Sequence, residues 1–543
     1  MTRRSFASGR TLRCSSAATA DLSEAGSPQQ YVAWSEGRGE TVLYDPSMLR
    51  YGVDVAELAL SGVFDVETPA GTVVCRPVFD LVADLCRRYP PERVEAICGV
   101  ERGQVVAAAR TLWEARPVAY YAWSGVEMQT NATQIARAIG QLYALTGRFD
   151  APGGTVLFGV APTASVSRVD LPAEQERRPA LGFHERPLGG ARWQFVTTGE
   201  LYRGIVEQQP YGIHGLVNFG SNLLLSHADS LQGRNALAQL DFYVHADLFM
   251  NPTAELADVV LPVASPFERE ALKVGFEVSP EAQALVQLRQ RVVEPRGESR
   301  SDMEIIFDLA VRLGLGSQFW EGDIEAAYRY RLGPSGVTLE ALRENPGGVR
   351  TPVETRYRKY AEPVNGRTSG FNTPTRKIEL YSETMLEHGY PPLPEYEEPL
   401  VSPESRPDLA EAYPLILTCA KHVLFCESQH RNLPGLRRQA REPEVEMHPS
   451  AAAERGIATG DWVRVATPLG SVRARARMND SLAPEVVCGQ HGWWQACPEI
   501  GAPGYDAFHP DGANYNLIIG DTAVDPVSGS VPHRAYVCQI YPA

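Results

Sequence analysis

Three short stretches of the chain combine residue types suited to holding a polar, phosphorylated ligand. They are Ser124-Gly125-Val126-Glu127-Met128-Gln129-Thr130, Gly220-Ser221-Asn222, and His245-Ala246-Asp247 with Asn251 and Thr253 just beyond. Gly125 and Gly220 have no Cβ, which allows a phosphate to approach the backbone closely. An ionised carboxylate such as Asp247 only accepts hydrogen bonds, and can take both donors on the Watson–Crick edge of guanine. Gly, Asn and Asp are also ordinary turn formers, so each stretch alone reads first as a turn. The nine cysteines, Cys14, Cys75, Cys86, Cys98, Cys419, Cys426, Cys488, Cys497 and Cys538, are scattered and include no Cys-x-x-Cys pair. That spacing offers neither a zinc knuckle nor a cluster-binding run, and it fits a reducing compartment and hence a cytoplasmic protein. Cys419 with Cys426, and Cys488 with Cys497, read as buried or incidental thiols.

Apolar periodicity supplies the elements that must position these loops. Val78, Leu81, Val82 and Leu85 fall at helical spacing, as do Val105, Ala108, Ala109 and Leu112, and Pro117-Val118-Ala119-Tyr120-Tyr121-Ala122-Trp123 predicts a buried strand. Asn131 can cap a helix with Ile135, Ile139 and Leu142 on one face, and Gly147 is its stop. After a ragged loop, residues 213–219, 241–245 and 259–261 are three short apolar runs, the last stopped by Pro262 and all separated by helix-length segments. Such a pattern predicts a parallel sheet. An open parallel sheet binds ligands at its carboxyl edge, where the strands end on backbone amides and helix N-termini, and all three stretches follow such runs, the first after residues 117–123. Ser301 and Glu304 form a capping box ahead of Ile306, Leu309, Ala310 and Leu313, with Gly314 closing the helix.

Between residues 390 and 414 seven prolines mixed with acidic residues describe an extended linker and a domain boundary. Beyond it the period shortens to two. Residues 462–466 and Val472, Ala474 and Ala476, alternating with Arg473, Arg475 and Arg477, predict a hairpin whose second strand has one basic face. Further strands near 415–417, 484–487 and 536–540, and a short helix over 449–455 stopped by Gly456, complete a small β-barrel. The fold class is therefore α/β, with parallel-sheet dinucleotide-binding-like domains followed by a C-terminal β-barrel.

At 543 residues and 44% hydrophobic content, the chain can bury several cores, on the order of three or four domains. A net charge of −15 and a pI near 5.3 are the wrong balance for wrapping nucleic acid or coating an anionic membrane. No run of about 18 apolar residues exists to span a bilayer. Thr2-Arg3-Arg4-Ser5-Phe6 looks like a twin-arginine export signal, but the polar residues that follow supply no apolar stretch, so it reads as chance.

The run from Ala238-Gln239-Leu240-Asp241 through Asp247 to Thr253-Ala254-Glu255-Leu256-Ala257-Asp258-Val259-Val260-Leu261-Pro262, with Glu268 downstream, closely resembles the dimethyl sulfoxide reductase family of molybdopterin oxidoreductases. Leu145-Thr146-Gly147 to Pro152-Gly153-Gly154, and Glu294-Pro295-Arg296-Gly297-Glu298 leading to Ser301-Asp302, are similar to two more of its segments. So are Leu417-Thr418, Ser428-Gln429-His430-Arg431-Asn432, Gly456-Ile457-Ala458-Thr459-Gly460-Asp461, and the pair Asn514 and Asn516, which match its C-terminal barrel. The resemblance covers about residues 30 to 543.

What it implies is a bis-molybdopterin guanine dinucleotide holding molybdenum or tungsten, with oxygen-atom or electron-pair transfer at the metal. Gly125 and Met128 would line the crevice near the metal, Gly220 and Asn222 would approach one dinucleotide, and Asp247 and Asp302 would address guanine. Thr418, Ser428, Gln429 and His430 would contact pterins and phosphates, with Trp493, Asn516 and Arg534 closing over them. Arg suits a phosphate or pterin oxygen by its fork geometry, and a Gln-His pair offers donors and acceptors to a fused heterocycle. The implied domains are a partial α/β domain over 1–115, an α/β molybdopterin dinucleotide-binding domain over 116–395 and a barrel molybdopterin dinucleotide-binding domain over 396–543.

Two family features are not found: a cysteine-rich iron–sulfur segment, and the Cys, selenocysteine, Ser or Asp that ligates the metal. The expectation is a chain truncated at its N-terminal side, holding no iron–sulfur cluster, with no metal ligand or catalytic residue to name. Its partners would be a small-molecule substrate and a separately encoded N-terminal iron–sulfur piece or electron-transfer subunit. Two other readings stand beside the oxidoreductase: a non-catalytic scaffold subunit of a redox complex, and a non-redox hydratase of the same family.

Overall fold

The three apolar runs read as strands do pair. Gly215–Phe219, Phe242–Asp247 and Val259–Pro262 lie side by side in that order and all parallel, with Gly215 opposite Phe242 and Val244 opposite Val259. One face is covered by the helices Thr198–Val206, Leu223–Ser226 and Ser230–Leu237, whose Tyr202, Ile205, Leu224, Leu225, Ala236 and Leu237 form a buried core with Leu216 packed on it. The opposite face leaves Val217, Phe242 and Val259 39–53% exposed, although parallel sheets are normally covered on both sides. Two of the three predicted loops leave this sheet from strand carboxyl ends, Gly220 following Phe219 and Asp247 closing the middle strand, while among the described residues no strand leads into the 124–130 loop.

The computed structural model describes residues 12–14, 31–68, 71–115, 117–167, 179–362 and 368–543; the Thr2-to-Phe6 motif lies outside them. The chain divides into two compact units, one of residues 1–123, 134–159 and 354–396, the other of 124–133, 160–353 and 397–543. In the first, Tyr31–Ser35, Glu40–Asp45 and Arg50–Tyr51 form one antiparallel sheet, and Leu12–Cys14, Gly71–Pro77 and Phe64–Thr68 another. The predicted helices appear as Val78–Arg87, Arg102–Glu114 and Ala132–Thr146, the last ended by Gly147 at φ 65°. The expected strand over 117–123 does not form. Tyr121 and Trp123 are 75% and 65% exposed and stack on each other at 6.1 Å, and the backbone NH of Tyr120 goes to the Thr155 hydroxyl instead of a neighbouring strand. An apolar run makes a strand only where another strand takes its amides. Cys75 is disulfide-bonded, which the spacing read as fitting a reducing compartment did not suggest, while Cys86, Cys98, Cys419, Cys426, Cys488, Cys497 and Cys538 are free.

Within the second unit, Ser301 caps the helix Asp302–Arg312 with the full reciprocal box: its hydroxyl accepts from Glu304 NH while the Glu304 carboxylate accepts from Ser301 NH. Ala271–Val274, Leu285–Arg289 and Val349–Arg350 add an antiparallel sheet that the sequence pattern did not suggest. The C-terminal strands close into a six-stranded barrel in the order Leu415–Cys419, Val486–Gly489, Glu444–Met447, Gly470–Met478, Trp462–Thr467 and Tyr536–Pro542. Alternation decides what faces inward: Val472, Ala474 and Ala476 are buried with Val445, Val463, Val487 and Val537. The three arginines between them do not make a free basic face. Arg475 pairs with Glu442, Arg477 with Glu444 and Glu446, and the guanidiniums of Arg473 and Arg475 lie 4.4 and 4.3 Å from the Trp462 ring centre. Among the described residues no helix is long and apolar enough to cross a membrane.

Loss of the capping box should be measurable. Ser301→Ala is expected to lower unfolding stability by about 1 kcal/mol, the usual worth of a Ser cap. A urea titration followed by a probe in the second unit would show a lowered midpoint at unchanged slope; an unshifted midpoint would contradict the role given to Ser301.

Candidate functional site

A cleft of about 330 Å³ opens at the carboxyl edge of the parallel sheet. Gly220, Asn222, Asp247, Asn251, Arg269 and Asp302 form its sheet side, and Glu427, Ser428, Gln429, Trp494 and Gln495 face them from the barrel's long loops. The chain can turn into it because Gly220 has φ 57°, a left-handed conformation that favours glycine, with its NH donating to Ala246 O at 2.8 Å. Nothing stands within 4 Å of where its Cβ would be, so the backbone there is open to a ligand.

Asp247 is held by a network running back into the sheet. Its Oδ2 accepts from Asn251 Nδ2 at 2.9 Å and lies 3.3 Å from His245 Nε2, and its Oδ1 accepts from Leu248 NH at 2.6 Å. His245 is 0% exposed, and its Nδ1 meets Tyr243 OH at 2.7 Å and the Asn218 amide nitrogen at 3.2 Å. Because an amide nitrogen only donates, Nδ1 is the accepting nitrogen, and the ring proton sits on Nε2, directed at Asp247. Burial pushes the Asp247 carboxyl up, but the donors from His245 and the Leu248 backbone outweigh it, and the net shift is downward. Asp247 is thus a fixed acceptor at neutral pH. Asp302, in the first turn of its helix, has Oδ2 3.2 Å from Arg269 Nη1.

On the barrel side the loop carrying Ser428 and Gln429 has no strand partner, and two buried arginines satisfy its carbonyls instead. Arg431, 1% exposed, donates to the carbonyls of Glu427, Gln429 and His491, and Arg437, 0% exposed, donates to those of Arg431, Arg441, Gln495 and Pro503. Burial and the adjacent Arg437 cation push the Arg431 guanidinium down to about 9, which leaves it charged at neutral pH. Asn222 joins the two sides: it accepts from Thr253 Oγ1 at 2.9 Å and donates to Ser428 Oγ at 3.4 Å.

Six of the predicted residues, Gly220, Asn222, Asp247, Asp302, Ser428 and Gln429, therefore share one cleft. Met128 lines a second, larger cavity of about 660 Å³ with Arg186, Glu200, His227, Asp521 and His533. Arg534 donates its NH to Met128 O at 3.2 Å, and Asn516 Oδ1 lies 2.7 Å from His533 Nε2. Gly125, Thr418, His430, Trp493, Asn516 and Arg534 line neither space. Trp493 is a core residue, 0% exposed, packed edge-on to Phe425 and Tyr505 with the Arg431 and Arg437 guanidiniums against its face, and it is Trp494 that lines the cleft. Arg269, Trp494 and Gln495 were not singled out as site residues, and His245 only as part of the stretch that carries Asp247. For Arg269 the only signal is a lone cation after Glu268, too weak to separate from a solvated surface. Among the described residues no group of three or more His, Cys, Asp or Glu side chains is arranged to hold a metal ion.

Comparison with known proteins gives this geometry a lineage. Residues 70–312 match the molybdopterin oxidoreductase model and residues 415–536 the molybdopterin dinucleotide binding domain model. Dopamine dehydroxylase of Eggerthella lenta is 28% identical across 93% of this chain and 57% of its own length. Dimethyl sulfoxide reductase DmsA of Escherichia coli is 26% identical across 74% of this chain and 52% of its own. The solved structure of acetylene hydratase from Pelobacter acetylenicus superposes with a TM-score of 0.74 at 25% identity, covering 85% of this chain and 66% of that one. The chain thus spans little more than half the length of the curated relatives it matches. It belongs to the dimethyl sulfoxide reductase family of molybdopterin oxidoreductases and carries that family's molybdopterin dinucleotide binding domain.

Proposed function

We propose that this chain binds a bis-molybdopterin guanine dinucleotide with molybdenum or tungsten, and serves oxygen-atom or electron-pair transfer on a small-molecule substrate. The observation that carries the reading is the cleft where six of the residues named from the family resemblance converge between the sheet's carboxyl edge and the barrel. Its chemistry fits a guanylated, phosphorylated ligand. Asp247 is an ionised acceptor, Gly220 leaves backbone open, and Arg269 Nε is a buried donor with no partner among the described residues. When bound, such a cofactor supplies the redox or Lewis-acid chemistry.

The chain's own residues bind and orient. Asp247, with its tautomer-fixed His245 behind it, takes N–H donors at the base end. Gly220 and Asn222 sit along the same wall, and Ser428 and Gln429 reach it from the barrel. Met128 lines the larger cavity, Arg534 and Asn516 stand behind its lining residues Met128 and His533, and Thr418 and His430 are assigned to the same ligand on the family resemblance alone, as are Gly125 and Trp493. Electron-pair transfer further needs a path for electrons, and an iron–sulfur piece or electron-transfer subunit encoded separately would provide it.

A second reading, hydration of a small unsaturated substrate, is favoured by the acetylene hydratase likeness in structure, and by a sequence relative of that name from Syntrophotalea acetylenica that is 29% identical over 78% of this chain. The two are separable because hydration is electron-neutral. Turnover that proceeds with no electron donor or acceptor present would favour the hydratase.

Purified full chain, co-expressed with the neighbouring reading frames, is expected to release guanine nucleotide on acid extraction and to contain molybdenum or tungsten by metal analysis. Stably folded protein with neither would overturn the cofactor reading in favour of a scaffold. Asp247→Asn should weaken retention of the guanine nucleotide about 10- to 100-fold, the worth of a hydrogen bond to a charged acceptor. The pH dependence has a definite sign. Because the folded-state pKa of Asp247 is depressed, its contribution is complete above the unfolded value of about 3.9 and is lost as pH falls through the lower folded value. Nucleotide retention measured by filtration should therefore be flat from neutral pH down to about 4 and drop below it in the wild type, with that acid-dependent component missing from Asp247→Asn.

A further inference from the structure

We infer that Asp521 is the proton-transferring group of the 660 Å³ cavity, taking up a proton as electrons arrive and passing it to the oxygen that leaves the substrate. The inference rests on the oxygen-atom and electron-pair reading above, with the reaction placed beside Met128, which lines the same cavity. The other ionisable groups of the lining are committed elsewhere. Glu200 is paired with both Arg186 and Arg203 and so stays ionised. Glu127 is exposed to solvent. Asn516 Nδ2 donates to Leu225 O at 2.7 Å, so its Oδ1 is the acceptor for the proton on His533 Nε2, also at 2.7 Å. Burial first, and then its neighbours His227, His491 and Arg534, push His533 down to about 4, so the ring stays neutral, and burial lowers His227 as well.

Asp521 differs from these groups in that both of its charge states are within reach. Burial, and then the Asp229 carboxylate, raise its proton affinity, while its own main-chain NH and Arg203 pull it back by less. Two phenols also face it, Tyr202 and Tyr536, and burial keeps both neutral. The surroundings serve either state. With its nitrogen toward the carboxyl, the Gln232 amide donates to Oδ2 at 2.8 Å and to Oδ1 at 3.1 Å. Turned over, the same amide presents its carbonyl, which accepts from the protonated acid. Gln232 is anchored for this by its main-chain NH, which donates to Asp229 Oδ1 at 3.0 Å. A Cβ on Gly199 would stand 3.0 Å from Asp521 Oδ2, so the missing side chain gives the carboxyl its place against the first turn of Thr198–Val206. Negative charge arriving in the cavity raises a carboxyl's proton affinity further, so Asp521 loads when the substrate needs a proton. The substrate's bond to oxygen then breaks and two O–H bonds form, giving water. A reduced electron carrier supplies the electron pair, the Asp521 carboxyl supplies one proton, and solvent supplies the other and reprotonates Asp521.

The test uses the full chain co-expressed with the neighbouring reading frames and needs no known substrate. Infrared difference spectra of wild type against Asp521→Asn, taken along a pH titration, should show a carboxylic acid band that persists above the ordinary Asp value of about 3.9. Electrochemical reduction of the metal-loaded protein in weak buffer, followed with a pH indicator, should take up about one proton more in wild type than in Asp521→Asn. Asp521→Glu, which keeps a carboxyl, should restore most of that uptake, a rescue that a merely structural role would not produce. Equal uptake in wild type and Asp521→Asn, with thermal midpoints unchanged, overturns the role of Asp521 and leaves the cofactor reading standing, and so does a wild type without the band. If Asp521→Asn fails to fold, Asp521→Glu decides instead: its band should shift and titrate at a different pH, and an unshifted band overturns the role. Folded protein containing neither metal nor guanine nucleotide overturns the cofactor reading itself, and this inference with it.

Discussion

Two guanidinium groups buried among carbonyl oxygens govern the geometry of the cleft. Arg431 and Arg437 bring their charges to 0–1% exposure with seven hydrogen bonds to main-chain carbonyls between them and, among the described residues, no carboxylate partner. Removing an ion from water is costly by several kcal/mol unless dipoles replace the hydration shell. Here the shell is the backbone of residues 427–441, 491, 495 and 503, so the charges and the loops define each other. The Trp493 face, 4.9–5.1 Å from both cations, adds attraction where little water competes. Gly492 shows how tightly this is drawn: a Cβ there would stand 2.4 Å from Glu427 O. Ser428 and Gln429 owe their placement to this packing, as they have no strand ladder to lean on.

The opposite wall is built on another principle. There the parallel sheet fixes the backbone, and polar side chains are lined up behind it, Ser221 O to Asn218 to His245 to Asp247, so that one proton position is chosen throughout. Preorganisation of this kind removes the need to reorient dipoles when a ligand arrives. Asn222 then couples a wall made rigid by strand ladders to one made rigid by buried cations.

Much of this was legible in the sequence, for identifiable reasons. Strands such as 215–219 and 242–247 announce themselves because they are short apolar runs bounded by Gly and Asp, and the Ser301–Glu304 box because its spacing is rigid. The barrel hairpin follows from strict alternation. What failed had no local signature. Residues 117–123 are apolar enough for a strand, yet whether a strand forms depends on a neighbour that composition does not reveal. Trp493 and Trp494 are adjacent and chemically alike, and only the tertiary arrangement sends one to the core and the other to the cleft. Arg269 and Arg431 are single cations in an acidic chain, and what each touches depends on loops far away in sequence.

The order of strands around the barrel has a consequence for how the chain is made. Tyr536–Pro542 lies between Leu415–Cys419 and Trp462–Thr467, antiparallel to both, and is the staple that turns an open sheet into a ring. During synthesis the other five strands emerge first and must wait with two unsatisfied edges. The ring cannot shut until residues 536–542 have left the ribosomal tunnel, so the ligand-facing loops of this half acquire their final setting only after all six barrel strands have been translated.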